Sequence, residues 1–280
     1  MRRPLVAAVI ALAALLRFAG IGHHLRYGGP EFDERHNFVD PVLRMWDSRS
    51  ADPTVYNGYP GFFNYVAFVP VGLGRRLAGD RGATLAARGL VAGFGTLSVA
   101  LAYGLGRRLH GGTWAALAGA ALLAVSRLEV RSAHYVTADV LVGTATLAAL
   151  LALAAWPGRK GELAAAAATA LGTAVKYTGL ILAPALFVHF WLERRLKTGL
   201  VPGLLVAALV FVVAAPFALL GLGSTGAGLV SGLNGYFGAQ HGHVAGSGLP
   251  ELIGTLWLSV GPVGLALAVL SAALPERRRL

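Results

Sequence analysis

The chain has 280 residues, of which 56% are hydrophobic and 13% charged. Its mean hydropathy of +0.64 excludes an ordinary soluble domain. The formal charge of +11 does not point to nucleic acid, because the basic residues stand in short clusters between apolar runs and form no stripe interleaved with aromatics. Cysteine is absent, which excludes disulfides and thiolate metal sites.

In chain order, Met1-Arg2-Arg3-Pro4 followed by Leu5 to Leu16 has the outline of a signal peptide. Arg17 and His23-His24 follow without a small-x-small cleavage site, so an uncleaved first helix is expected. Apolar runs place eight spans at about 4–21, 88–106, 112–127, 138–156, 162–175, 177–193, 198–221 and 252–273. No Asp, Glu, Lys or Arg occurs from Thr198 to Pro250. The expected fold is an all-α integral membrane protein, a polytopic bundle of about eight transmembrane helices. Several spans are shorter than the ~20 residues that cross a bilayer unaided, which suits inner bundle members or a thinned bilayer. Gly and Ala dominate 115–124 and 162–174, which allows close helix approach.

Segment 22–87 is polar by contrast. Its stretch 34–48 carries Phe38, Val42, Met45 and Trp46 among charges, a spacing that predicts an amphipathic helix in the interface. Gly61 to Gly74 reads either as a short span or as a second interfacial helix. If it does not cross, 12 of the 24 basic residues fall on one side with only three acids, Glu162, Glu193 and Glu276. That side is then cytoplasmic and holds both termini. Segments 22–87 and 222–250, the turn at 128–138 and Lys176 lie on the opposite, extracytoplasmic face.

Three of the 13 carboxylates fall within four positions, at Glu31, Asp33 and Glu34. Acids at a membrane edge are costly to place, and one carboxylate with a second tuning it is a general-base arrangement. Downstream, Arg127-x-Glu129-x-Arg131 is followed by His134-Tyr135 and by Asp139, the only ionised group between Arg131 and Arg159. A helix N-terminal acid also explains Asp139 without any function. Lys176-Tyr177-Thr178 interrupts a run with no other charge from Leu163 to Leu192. Its ammonium either snorkels or, with Arg88, holds an anionic headgroup. Tyr59-Pro60 lies in an aromatic, turn-rich loop that reads as a belt or as a ligand wall. His241 and His243 stand i, i+2 in a glycine-rich loop; no third ligand is fixed by spacing, so no metal is assigned.

The order of these features resembles the GT-C membrane glycosyltransferases of the protein O-mannosyltransferase and aminoarabinose-transferase type, family 39-like. The resemblance rests on the Asp33-Glu34 loop, the aromatic-Pro motif, and an Arg88-headed span ending Gly104-Leu105-Gly106-Arg107-Arg108. It continues through Ser132-Ala133-His134-Tyr135 with Asp139 and through Gly172-Thr173-Ala174-Val175-Lys176-Tyr177-Thr178. It implies transfer of a sugar from a polyprenyl-phosphate donor to an extracytoplasmic acceptor, in a bacterial-type inner or plasma membrane. Asp33 matches the catalytic acidic residue, with Glu34 its partner. Tyr59, Arg88, Arg131, His134, Asp139, Lys176, Tyr177, His241 and His243 are the substrate-binding candidates. The pattern names no cofactor and is compatible with a divalent cation.

The expected organisation is a single GT-C-like domain over 1–280, with 22–87 and 222–250 as its two large external loops and without the family's usual C-terminal soluble domain. Many relatives have Lys-Pro-Pro or His-Pro-Pro where this chain reads Gly58-Tyr59-Pro60-Gly61. Two other classes stay open at this point. One is a lipid-linked-sugar flippase or small-molecule transporter, for which no internal repeat is found. The other is an inactive, truncated scaffold.

Overall fold

The computed structural model describes residues 2–25, 29–53, 59–110 and 112–220, and no strand occurs among them. The chain starts with α1 (Arg2–Phe18) and continues into α2 (Phe32–Glu34), a π-helical turn (Arg35–Val39) and α3 (Asp40–Ser48). The long α4 (Phe62–His110) follows. Next come α5 (Thr113–Val125), α6 (Arg127–Ala133), α7 (Ala138–Ala155) and α8 (Arg159–Val175). A 3-10 turn (Tyr177–Leu182) leads to α9 (Ala183–Leu192). A π turn (Leu196–Leu200) leads to α10 (Val201–Ala214), and α11 (Pro216–Leu220) comes last.

Three helices among the described residues are long and apolar enough to cross a membrane, within 62–109, 138–155 and 196–214. Helices α5 and α6 make a fourth if taken as one span bent by 55°. The expected count of eight is not reached on length and composition. Helices α1 and α8 have 17 residues each, and 177–192 is divided between the 3-10 turn and α9. The eighth expected span, 252–273, and the loop 222–250 lie outside the described residues.

The ambiguous segment at 61–74 resolves as one arm of a helical hairpin. Ala78 (φ −146°) and Gly79 (φ 62°) leave helical geometry and divide α4 into arms 62–77 and 80–110. A positive φ is open to glycine without penalty, which is why the chain reverses there. The first arm returns along the second so closely that a Cβ on Gly74 or Gly82 would collide with the carbonyl of the other. Phe63, Ala67 and Val71 of the first arm share one buried cluster with Ala83, Ala87 and Val91 of the second.

The helical run 32–48 is the expected amphipathic segment, but its apolar face is turned to protein. Phe38, Val42 and Leu43 are buried in the same cluster as the hairpin. The Trp46 ring sits directly over Gly72, where any side chain would exclude it. The stripe that sequence alone assigned to the bilayer surface finds a better partner in the first arm of α4.

The remaining helices pack around the second arm. Helix α1 runs antiparallel to it, with Ala13 beside Val99 and Phe18 beside Gly89. On α7, Thr144 bonds Ser98 hydroxyl to hydroxyl at 2.7 Å and donates to the Phe94 carbonyl at 3.2 Å. In a lipid-facing bundle such interhelical bonds average only ~0.6 kcal/mol, so close contact of small residues carries most of the association. Gly106 against Ala116 and Gly172 against Gly179 are such contacts. Val136, Ala138 and Val175 join the cluster of the hairpin. The last turn of α1, the start of the second α4 arm, the α6–α7 junction and the end of α8 therefore meet at one end of the bundle.

Candidate active site

Three segments converge at that end on one carboxylate: the start of α2, the second arm of α4 and the α6–α7 junction. Glu34 is buried, and each of its oxygens accepts two hydrogen bonds. Oε1 accepts from Arg88 Nε (2.9 Å) and from the Val136 amide (2.7 Å). Oε2 accepts from Arg88 Nη2 (2.7 Å) and from the Glu31 amide (3.0 Å). The bond to Glu31 closes the first turn of α2, so the local helix start and the tertiary clamp share the same oxygen. Arg88 is also fully buried, and its Nη1 donates to the carbonyls of Ile21 (2.9 Å) and His23 (3.0 Å). A bidentate guanidinium–carboxylate pair with its other valences satisfied is the geometry in which a buried charge pair is tolerated.

Asp33, the neighbour of Glu34, is exposed and has no ion pair or hydrogen bond among the described residues. The two acids are thus placed in opposite environments. Both oxygens of Glu34 are occupied by donors, whereas Asp33 is open to a ligand.

Beside the clamp lies a second polar group. Tyr135 packs its ring under the Arg88 guanidinium at 5.4 Å. Its hydroxyl meets His23 Nε2 at 3.1 Å, while His23 Nδ1 donates to the Gly20 carbonyl at 3.1 Å. His134 Nε2 donates to the Leu16 carbonyl at 3.0 Å. An open groove bordered by Leu16, His23, Arg127, Arg131 and His134 runs away from Tyr135.

The substrate-binding candidates do not all join this centre. Arg88, expected to hold an anionic group, donates to Glu34 and to two backbone carbonyls. Lys176, expected as a lone ammonium, pairs through Nζ with Asp139 Oδ1 at 2.8 Å. Tyr177 follows it at the head of the 3-10 turn and is half-buried. Arg131 is exposed on α6. Tyr59 packs edge-on against Phe38, with ring centroids 5.0 Å apart. His241 and His243 lie outside the described residues. Among the described residues no group of three or more His, Asp or Glu side chains is placed to hold a metal ion.

Arg17, His23 and Tyr135 are not among the site residues expected from the sequence, although His23 and Tyr135 fall in segments expected on this face. Arg17 is fully buried on α1 and donates to the carbonyls of Leu123 (3.1 Å) and Ala124 (3.0 Å) at the end of α5. An arginine late in an apolar helix is a visible signal, but its partners lie more than 100 positions away.

A family model described as dolichyl-phosphate-mannose-protein mannosyltransferase matches residues 67–219. Arg88, Arg131, His134, Asp139, Lys176 and Tyr177 lie inside the matched segment, and Asp33, Glu34 and Tyr59 precede it. No curated protein and no solved structure matches the chain.

Proposed function

This chain belongs to the dolichyl-phosphate-mannose-protein mannosyltransferase family, and from that premise we propose an inverting sugar transfer with Asp33 as general base. The chain is a membrane glycosyltransferase of mannosyltransferase type; the donor, the acceptor side and the residue roles are our reading. The donor is a polyprenyl-phosphate sugar, and the acceptor is a hydroxyl or amine outside the cytoplasm. Asp33 takes the acceptor proton as the acceptor atom attacks the anomeric carbon. The bond from that carbon to the phosphate oxygen breaks with its electron pair, and polyprenyl phosphate leaves. A general base positioned on the reacting proton contributes roughly 100- to 10,000-fold.

The observation that supports this reading is the division of labour between the two adjacent acids. Glu34 is anchored by Arg88, Val136 and Glu31. That anchor fixes the backbone of Asp33 while leaving its carboxylate open. The orientation rests on the charge count: the ends of the helices that lie away from Glu34 carry Arg107, Arg108, Arg159, Lys160, Arg194, Arg195 and Lys197, as expected for a cytoplasmic side. We therefore assign one GT-C-like domain, with both termini inside and the Glu34 end outside.

Asp33→Asn, in membranes supplied with polyprenyl-phosphate mannose, should reduce transfer by about 100-fold or more while leaving protein level unchanged. Turnover within a few-fold of the parent would remove Asp33 from the mechanism.

A further inference from the structure

We propose that the groove between α1 and the α5–α6 bend is where the phosphate of the isoprenoid donor rests, gripped by Arg127 and Arg131 with His134 at its wall. The proposal rests on the transferase reading above and adds the residues that hold the leaving group.

A departing polyprenyl phosphate needs cations that are free to meet it. At this end of the bundle Arg88 is consumed by Glu34 and two carbonyls, and Lys176 is held by Asp139. Arg17 faces the carbonyls of α5, and Arg75 faces Asp47. Arg127 and Arg131 are different. They stand i, i+4 on one face of α6, both are exposed, and neither forms an ion pair among the described residues. Both border the groove. Two planar guanidiniums on one wall match the oxygens of a phosphate better than a single ammonium does. His134 donates from Nε2 to Leu16, which leaves its Nδ1 for a ligand.

The rest of the groove suits an isoprenoid. Leu16, Val125 and Val130 form its apolar lining. Val125 is 53% exposed, and Leu12, one turn from Leu16 on the same face of α1, is 40% exposed. Exposed aliphatic side chains are what a helix turns to lipid, so the groove borders the bilayer surface from which a hydrocarbon tail would enter. The other end of the groove is Tyr135, which touches the Arg88–Glu34 clamp through its ring. The groove thus runs from the exposed side of α1 to the Tyr135 ring beneath Arg88.

The bend that forms the groove is itself secured. Helix α5 stops at Ser126, and the 55° break there turns α6 away from the α5 axis. Arg17 donates to the Ala124 carbonyl at the break and shares the Leu123 carbonyl with the Ser126 amide. It reaches them because residue 95 is glycine; a Cβ there would lie 2.9 Å from Arg17 Nε.

Farnesyl phosphate is the probe, added to the full chain in phosphatidylcholine nanodiscs, with binding followed by native mass spectrometry. Each of Arg127→Gln and Arg131→Gln should weaken binding roughly tenfold, and the double variant by more, from the loss of charge-assisted bonds. Arg127→Lys and Arg131→Lys should retain part of the affinity, which separates lost charge from lost fork geometry. Arg159→Gln, at the opposite end, serves as the control and should bind as the parent does. Farnesol and inorganic phosphate should bind far more weakly than farnesyl phosphate, and phosphatidylglycerol should not displace it. Equal displacement by phosphatidylglycerol would make the groove a general anionic-lipid site and overturn the assignment, as would unchanged binding in the double variant. Because binding is read without turnover, a failed Asp33→Asn test and a failed groove test are separate results.

Discussion

Arg88 and Glu34, 54 residues apart in sequence, meet in a two-pronged ion pair with Nη2–Oε2 at 2.7 Å and Nε–Oε1 at 2.9 Å. Both side chains are buried, so neither is screened by water. The pair ties the loop after α1 to the second arm of α4. The Val136 amide brings the α6–α7 junction to the same carboxylate. Removing one partner from such a pair strands a buried charge.

Arg88→Ala or Glu34→Ala should therefore lower stability by about 3–5 kcal/mol, and activity should fall with it. Arg88→Lys should recover little, because one ammonium cannot meet both carboxylate oxygens and two carbonyls. Asp33→Asn, at an exposed position, should stay within about 0.5 kcal/mol of the parent. Thermal unfolding in detergent reads all of these. A stability loss for Asp33→Asn comparable to that of Glu34→Ala would contradict the division between the two acids.

Arg17→Met should leave the buried Ala124 carbonyl without its donor, at a cost of about 1–3 kcal/mol, while the Leu123 carbonyl keeps the Ser126 amide. Gly95→Ala should have the same effect through crowding of Arg17. Hydrogen exchange is expected to speed up in 124–133 before the rest of the bundle responds. Uniform loosening of every helix would argue against Arg17 as the keeper of the bend.

The chain contains no cysteine, so engineered pairs report proximity without background. Val71→Cys with Ala83→Cys should be joined by a short bifunctional reagent, because both positions lie in the same buried cluster of the hairpin. In one continuous helix, residues 12 apart are ~18 Å from one another and would not be joined. Gly74→Leu should abolish the crosslink by forcing the arms apart.

Lys176 and Asp139 form an ion pair of a different kind, with side-chain exposures of 16% and 66%. Pairs open to solvent contribute about 0–1 kcal/mol. Lys176→Ala and Asp139→Ala should each change stability by no more than that. A large loss of transfer with stability intact would identify them as ligand contacts. Loss of both together would leave them as structural.

The sequence by itself determined the solvent and the class of fold. Long charge-free runs such as 89–106 and 140–158 have no stable home outside an apolar medium, and the basic clusters between them mark one face. The order of motifs, from Asp33-Glu34 to Lys176-Tyr177, was enough to suggest the glycosyltransferase family. Adjacent acids were legible as a candidate site because the chain has so few. Local pattern could not say which acid is anchored, since the anchor comes from residues 88 and 136.

Tertiary structure alone decided which charges are free. Sequence spacing made Arg88 and Lys176 look like isolated cations in apolar surroundings, yet each is matched by a carboxylate from a distant segment. It also decided that 62–77 folds back along 80–110 and that the stripe of 34–48 faces protein. Helical periodicity reveals that a face is apolar, not what covers it. The covering partner, like the partner of a buried charge, is a property of how segments far apart in the chain come together.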